Sequence, residues 1–139
     1  NVPIVELSID YTQPAAYHYA LAKELAALRS EGVMIIASGN IVHNLRKIDW
    51  THLEDAGFGY DWALTFNEKI KKLILDGDHR QIIDIEKTDE NYRYAVPYSD
   101  HFLPLLYLLA LQTRDDKLSF FNDSLVGGSL SMTSLLLEQ

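Results

Sequence analysis

Residues 33–45 read Val-Met-Ile-Ile-Ala-Ser-Gly-Asn-Ile-Val-His-Asn-Leu, and this stretch decides how the rest of the chain is interpreted. The apolar run Val33–Ala37 ends abruptly in small, turn-forming residues, a pattern typical of a buried strand that enters a tight loop. In open α/β sheets, ligands bind in the crevice beyond the carboxyl ends of such strands. His43 therefore follows a strand end, where such a sheet offers a binding site. A helix-capping loop with a hydrogen-bonded histidine is the alternative interpretation, and both stay open here.

The preceding residues predict a βαβ unit. Val2–Ile9 is mostly apolar and rich in β-branched residues, which predicts a largely buried strand. A helix is expected from an N-cap at Thr12 to about Arg29, because apolar residues recur there at steps of three and four. Since strand, helix and strand follow one another directly, Val2–Ile9 and Val33–Ala37 are predicted to be adjacent parallel strands.

Later segments complete the predicted fold. Tyr60–Leu75 has the apolar spacing of an amphipathic helix, and a second apolar helix is expected from about Ser99. Leu118–Asn122 and Ser129–Leu136 are predicted to be closing strands. The fold class that these elements predict is α/β, a three-layer sandwich with a mixed, partly parallel sheet.

Composition limits the function classes. The chain has 139 residues, 47% of them hydrophobic, which suits a single domain with a core. Twelve basic residues against twenty acidic ones give a net charge of −8, which argues against a nucleic-acid partner. There is no cysteine, so disulfides and thiolate metal sites are excluded. The longest apolar run, Leu103–Leu111, is too short to span a membrane, and a soluble cytoplasmic protein is expected.

Two of the five histidines lie where a chain element begins or ends. His43 follows the loop described above, and His101 opens an apolar helix. A helix N-terminus disfavours the charged imidazole, and the neutral form is the one that binds metals or acts as a base. An ordinary residue of the first helical turn is the alternative for His101. A metal site needs three or four ligands, so these two histidines do not complete one. The others are expected to pack between helices or lie at the surface (His18) or to be solvated (His52 and His79).

Several segments resemble the DOPA-4,5-dioxygenase-like proteins, which are class III (protocatechuate 4,5-dioxygenase-type) extradiol ring-cleavage dioxygenases. Residues 37–45 are similar to the family's Gly/Ala-Ser-Gly-Asn-x-x-His-Asn-Leu segment. His101–Leu106 is similar to Glu-His-(Phe/Tyr)-Leu-Pro-Leu-Leu, with Asp100 in place of the usual glutamate. Further similarities cover nearly all of the chain: Val2–Asp10 with Pro14–Ala16, the helix of Trp62, Phe66 and Asn67, and the closing segment Gly128–Met132.

The resemblance is to the C-terminal half of that family only. Upstream, family members carry a His-Gly-Ser-Pro and a Ser-Ala-His-Trp segment whose histidines bind the metal, and neither segment occurs in this chain. The chain also opens at Asn1 without an initiating methionine. We therefore expect residues 1–139 to be a single domain, the C-terminal half of a catalytic domain whose N-terminal metal-ligand half is absent, and to be inactive alone.

The resemblance implies specific roles. His101 would be the third protein ligand of a catalytic Fe(II), a position that Zn(II) can also occupy, beside two histidines of the missing half. His43 would be the catalytic acid–base group, although it is also a possible metal ligand. Ser38 and Asn44 are candidates for hydrogen bonds to the substrate or to the metal ligands. The expected partners are a small, DOPA-like catechol and O₂, which is inserted into the ring next to the diol in the metabolism of aromatic compounds.

These roles make two geometric predictions. The His43 and His101 rings should face one cavity about 4–8 Å apart, with room for a catecholate between them. A hydrogen bond should hold the His101 ring. Two other functions stay open: a catalytically inactive metal- or ligand-binding module of the same fold, and a structural or interaction domain whose histidines merely pack.

Overall fold

The structure is a computed structural model that describes residues 2–55 and 57–138. Within these residues it contains seven α-helices and four short β-strands. The helices are α1 Ala15–Lys23, α2 Ala26–Ser30, α3 Asp61–Leu75, α4 His79–Ile83, α5 Ile85–Thr88, α6 Tyr92–Ala95 and α7 Leu103–Leu111. The strands are β1 Lys117–Phe121, β2 Leu125–Val126, β3 Leu130–Ser131 and β4 Ser134–Glu138. Single 3₁₀ turns span Leu45–Lys47, Trp50–His52 and Ser99–His101.

Two helices end at a glycine, as their sequences indicate. At Gly77, which has φ +69°, the chain leaves α3, and the next amide, of Asp78, donates to the Leu73 carbonyl at 2.9 Å. Gly32, with φ +79°, ends α2 in the same way. Glycine takes these positive φ values without the steric cost that a side chain brings. The helix predicted between Thr12 and Arg29 is confirmed as two pieces, α1 and α2.

The core lies between α3 and α7. The predicted apolar face of α3 is confirmed, because Phe66, Ile70 and Leu73 are buried, and only Trp62 remains half-exposed. Helix α7 is apolar on all sides and carries buried residues on most of them, as expected for a central helix. Helix α1 packs along α7, and the fully buried His18 of α1 contacts the Tyr107 hydroxyl of α7.

The strands form two small antiparallel sheets. Strand β1 pairs with β4, so that Leu118 lies opposite Leu137, and β2 pairs with β3. The closing strand predicted at Leu118–Asn122 is confirmed as β1, one residue earlier at each end. The strand predicted at Ser129–Leu136 is divided into β3 and β4.

The prediction of a parallel strand pair is wrong for the described residues. Val2–Ile9 and Val33–Ala37 form no strand there, and most of their apolar side chains face solvent. A strand requires a neighbouring strand for its N–H and C=O groups, and the described residues place none beside either segment. They form a mixed helix-and-strand fold with antiparallel sheets, in which the predicted three-layer sandwich and partly parallel sheet are not confirmed.

Among the described residues, no helix is both long enough and apolar enough to cross a membrane.

Candidate functional site

A backbone-to-backbone contact joins the loop of residues 37–45 to the turn that carries His101. A Cβ atom placed on Gly39 would lie 2.1 Å from the His101 carbonyl oxygen, closer than any side chain tolerates. The next amide, of Asn40, donates a hydrogen bond of 2.9 Å to the same oxygen. Position 39 therefore requires glycine, because only a residue without a side chain lets the loop of residues 37–45 approach the turn of His101 this closely.

Asn40 connects this contact to the sheet. Its side-chain Nδ2 donates to the Ser131 carbonyl of β3 at 2.6 Å, and its own carbonyl lies 3.1 Å from Nδ1 of His43. One residue thus contacts the His101 backbone, the His43 ring and β3. Sequence reasoning treated Asn40 only as a turn former. The signal that it missed is the amide side chain, which can bond to backbone groups as well as favour a turn.

The His43 ring is buried and fully engaged by the protein. It is 7% exposed, and its backbone amide donates to the Ala95 carbonyl. Its Nε2 lies 2.7 Å from the Tyr98 carbonyl, in addition to the Nδ1 contact with the Asn40 carbonyl. A neutral imidazole has one N–H and can donate to only one of these oxygens, and the shorter distance favours the proton on Nε2.

Burial lowers the pKa of His43 below its ordinary value, and the charge of a protonated His101 adds to the lowering. Hydrogen bonds to the Tyr98 and Asn40 carbonyls oppose this change in pKa. Since desolvation is the largest of these effects, the neutral imidazole is favoured at neutral pH. The neutral form can accept a proton.

His101 has the opposite surroundings. Its side chain is 56% exposed, and its ring centroid lies 5.2 Å from that of His43 at an interplanar angle of 38°. The predicted separation is therefore confirmed. The predicted hydrogen bond to the ring is not found among the described residues, because the Asp100 carboxylate lies 3.9 Å from Nε2, beyond hydrogen-bond distance.

An open groove with a volume of about 680 Å³ runs past His101. Its walls are mostly apolar and come from residues 33–37, α7 and the β1–β4 sheet. Gly39 and Asn40 also line it, whereas His43, Ser38 and Asn44 do not. Of the predicted site residues, only His101 faces this groove, so the predicted shared cavity for both histidines is not formed by the described residues.

Ser38 and Asn44 differ in what they can contact. Ser38 is exposed beside Gly39. Asn44 is buried, and its Nδ2 donates to the Tyr94 carbonyl at 2.8 Å while its Oδ1 accepts from the Arg46 amide. Asn44 thereby caps the turn Leu45–Lys47 and fixes the chain directly after His43. A substrate contact by either residue stays a prediction.

Known proteins resemble nearly the whole chain. The 4,5-DOPA dioxygenase extradiol of Escherichia coli K12 is 40% identical over 137 residues, which are 97% of this chain and 49% of that protein. The chain is a homologue of the extradiol 4,5-DOPA dioxygenases. The protein of the same name from Beta vulgaris is 28% identical over 134 residues, 96% of the chain and 48% of that protein. The chain thus spans about half the length of the curated relatives it matches. No protein-family profile matches it.

A solved structure has the same fold as most of the chain. The crystal structure of an uncharacterized Escherichia coli K12 protein superimposes with a TM-score of 0.82 at 36% sequence identity. The alignment covers 92% of this chain and 52% of the other. The chain therefore shares its fold with about half of a longer chain.

The residues present fit only part of a dioxygenase metal site. Among the described residues, no group of three or more histidine, cysteine, aspartate or glutamate side chains is placed to hold a metal ion. The exposed His101 imidazole can supply one ligand, and His43 could supply a second only if one ring nitrogen left its carbonyl partner. A complete site needs at least one more ligand from elsewhere.

A buried polar cluster supports the site from behind. The Ser131 hydroxyl donates to Oδ1 of Asn67 at 2.7 Å, and Nδ2 of Asn67 bonds to the Thr133 hydroxyl at 3.1 Å. Asn67 belongs to α3 and Ser131 to β3, and the Ser131 amide donates to the Val42 carbonyl next to His43. Sequence reasoning noted Asn67 within a motif but assigned it no role. Its signal was an amide on the apolar face of a helix, where an unbonded polar group is costly.

The three remaining histidines contact other side chains of the chain. His18 is fully buried between α1 and α7, which confirms the helix-packing alternative. The expectation that His79 is solvated is wrong, because the Tyr19 hydroxyl bonds to its Nδ1 at 2.8 Å and its Nε2 contacts Gln112 at 2.9 Å. His52 lies partly exposed beside Asp49.

Proposed function

We propose that this chain forms part of the active site of a non-haem Fe(II) extradiol dioxygenase that inserts O₂ into a catechol ring next to the diol, with a DOPA-like substrate. The observation that carries the proposal is the proximity of two histidines from separate motif segments, with ring centroids 5.2 Å apart. Homology to proteins named 4,5-DOPA dioxygenase extradiol supports the same reaction class.

In this proposal His101 is a metal ligand. Its imidazole is exposed, while its backbone is held by Gly39 and Asn40, so the ring extends from a fixed position. The other protein ligands would come from the part of the relatives' length that this chain does not span. When bound, Fe(II) would supply the O₂ and catecholate chemistry typical of non-haem iron oxygenases, and Zn(II) could occupy the same position.

His43 is proposed as the acid–base group. Its lowered pKa favours a neutral ring that can accept the proton of a catechol hydroxyl. For this, Nε2 has to exchange its contact with the Tyr98 carbonyl for one with the substrate. The Asn40 carbonyl would then hold the ring through Nδ1, where a neutral histidine can carry its single proton. Asn44 would keep the His43 backbone in place, and the exposed Ser38 hydroxyl is available to a substrate oxygen.

A catalytically inactive metal- or ligand-binding module is the second candidate. It is favoured by the engagement of both His43 ring nitrogens with backbone carbonyls, which leaves neither directed at the groove.

The test compares histidine variants in the longer polypeptide of which this chain would be part. We expect His101→Ala to abolish stoichiometric metal binding, measured by elemental analysis. His43→Ala should keep the metal but lose most formation of the yellow ring-opened product from DOPA. His52→Ala, a partly exposed histidine outside the site, is the control and should change neither. Undiminished metal content in His101→Ala, or full turnover in His43→Ala, would contradict the assignments. The isolated 139-residue chain, supplied with Fe(II), O₂ and DOPA, should show no steady turnover.

A further inference from the structure

An exposed cation lies close to the proposed acid–base group, His43. Arg46 belongs to the 3₁₀ turn Leu45–Lys47, and it is exposed to solvent. Its backbone amide donates to Oδ1 of Asn44 at 3.2 Å. Asn44 also fixes the chain directly after His43, so the backbone of Arg46 is held in place relative to that histidine. The proposed function assigns Arg46 no role.

The Arg46 guanidinium is largely free to bind a ligand. Among the described residues it forms no ion pair with a carboxylate, whereas six of the chain's twelve cationic side chains do so. Its one side-chain hydrogen bond there is a long one, 3.4 Å from Nη2 to the Tyr98 hydroxyl. A guanidinium carries five N–H donors in a planar fork that matches a carboxylate. In a chain with a net charge of −8, a cation without a carboxylate partner provides a local site for an anionic group.

Tyr98 connects Arg46 to His43. The Tyr98 backbone carbonyl lies 2.7 Å from Nε2 of His43, and the hydroxyl at the other end of the same residue contacts Arg46. Tyr98 is 66% exposed, so a ligand can lie along its side chain. The length of one tyrosine, from carbonyl to hydroxyl, therefore links the His43 ring to the guanidinium.

The DOPA-like substrate of the proposed function has the same carbon skeleton as this linking residue. DOPA is tyrosine with a second ring hydroxyl, and its carboxylate lies at the opposite end from the diol. When the diol meets Nε2 of His43, a DOPA molecule that lies antiparallel along Tyr98 brings its carboxylate to the hydroxyl end of Tyr98, where Arg46 is. Bidentate pairing of a guanidinium with a carboxylate adds affinity and also fixes the orientation of the ligand.

We infer that Arg46 determines substrate specificity by binding the carboxylate of the substrate's side chain, while the Tyr98 hydroxyl orients the guanidinium. This inference rests on the proposed function, because it concerns the substrate of that reaction. It narrows the substrate class to catechols whose side chain ends in a carboxylate. A general attraction between surface cations and anions is the alternative, and it predicts the same effect for the neighbouring Lys47.

Three catechols isolate the contribution of the carboxylate. They are DOPA, its analogue without the ammonium group, and dopamine, which lacks the carboxylate. Oxygen uptake and calorimetric binding without O₂ are measured with the metal-loaded longer polypeptide of which this chain would be part. Arg46→Met should raise KM and Kd for the two carboxylates by about tenfold or more and leave kcat within about twofold. The KM and Kd for dopamine should change by less than about twofold.

Two further variants distinguish a carboxylate site from a general charge effect. Lys47→Met removes an exposed cation of the same turn and should change KM for DOPA by less than about twofold. Arg46→Lys keeps the charge but loses the planar fork, so it should restore only part of the affinity. Because Arg46 is exposed, both of its variants should keep the urea midpoint of the wild type, which separates lost affinity from lost folding.

Each outcome decides the inference. Equal losses for dopamine and the carboxylates, no loss for any catechol, or an equal loss in Lys47→Met would overturn it. Turnover of all three catechols that does not respond to Arg46→Met would contradict the inference alone. Carboxylate binding that depends on Arg46, without turnover of any catechol, would contradict the proposed function alone. A wild type that neither binds nor converts the three compounds would contradict both.

Discussion

Replacement of Gly39 by alanine should be unusually costly for a glycine that needs no special backbone conformation. The added Cβ would lie 2.1 Å from the His101 carbonyl oxygen and 2.9 Å from the carbonyl carbon. Both are backbone atoms, so no side chain can rotate away. The two segments have to separate by roughly 1 Å before the contact is tolerable, as expected for a closely packed interior.

The cost can be estimated from two contributions. Overpacking of this kind costs about 1–3 kcal/mol. Separation of the segments also weakens the 2.9 Å hydrogen bond from the Asn40 amide to His101, which contributes about 0.5–1.5 kcal/mol. We therefore expect Gly39→Ala to lower the free energy of unfolding by about 2–4 kcal/mol, a large part of the roughly 5–15 kcal/mol typical of a domain.

Urea unfolding followed by circular dichroism measures this change. With a slope of about 2 kcal/mol per molar urea, the midpoint should fall by about 1–2 M. Gly77→Ala is the matched control, because its Cβ would meet no atom within 4 Å and only its φ of +69° opposes the substitution. The control should lose about 1 kcal/mol. A loss below about 0.5 kcal/mol for Gly39→Ala would refute the claim that space, rather than flexibility, requires this glycine.

Five further substitutions, in three sets, test other parts of the structure. Asp116→Asn removes the charge of a fully buried carboxylate and should cost about 3 kcal/mol at pH 7. Hydrogen bonds with the Arg29 guanidinium lower the pKa of Asp116. The stabilisation that the ionised carboxylate provides is therefore complete above its unfolded-state pKa and is lost as the pH falls through its folded-state pKa. The urea midpoints of variant and wild type should converge in acid, and a difference that stays constant with pH would contradict this assignment. Asn67→Ala and Ser131→Ala should each lower the free energy of unfolding by about 1–3 kcal/mol, because they share a buried hydrogen bond. A double-mutant cycle should give a coupling energy above about 0.5 kcal/mol, and strictly additive effects would exclude a shared network. His101 is exposed, so His101→Ala should leave the free energy of unfolding within about 0.5 kcal/mol of wild type. His43 is buried, so His43→Ala should lower it by about 2 kcal/mol or more. Equal urea midpoints for the two variants would contradict this difference in burial.

Local sequence patterns predicted the elements that depend on local interactions. Helix α3 was predictable because its apolar residues repeat with helical spacing and Gly77 marks its end. Val2–Ile9 and Val33–Ala37 have equally clear strand patterns, but a strand depends on hydrogen bonds to another segment, and no partner lies beside them among the described residues.

The candidate site shows the same difference between features that local sequence patterns predict and features that depend on contacts between distant segments. The motif segments identified His43 and His101, but the 5.2 Å between their rings depends on tertiary contacts that residue spacing does not specify. Asn40 was visible in the sequence, yet its contacts reach the distant turn of His101 and strand β3. Such long-range hydrogen bonds have no periodic signature, which is why the support of the site was not predictable although its histidines were.

The contacts of Asn40 also have a consequence for local unfolding. Its amide bonds to the His101 carbonyl, its side chain to the Ser131 carbonyl, and the Ser131 amide to the Val42 carbonyl. The last two hydrogen bonds close a ring through residues 40–42, and the bond to His101 branches from that ring at Asn40. The amides of Asn40 and Ser131 should therefore open as one cooperative unit. A fluctuation that moves Asn40 would disturb both histidines, because its amide bonds to the His101 carbonyl and its carbonyl contacts the His43 ring.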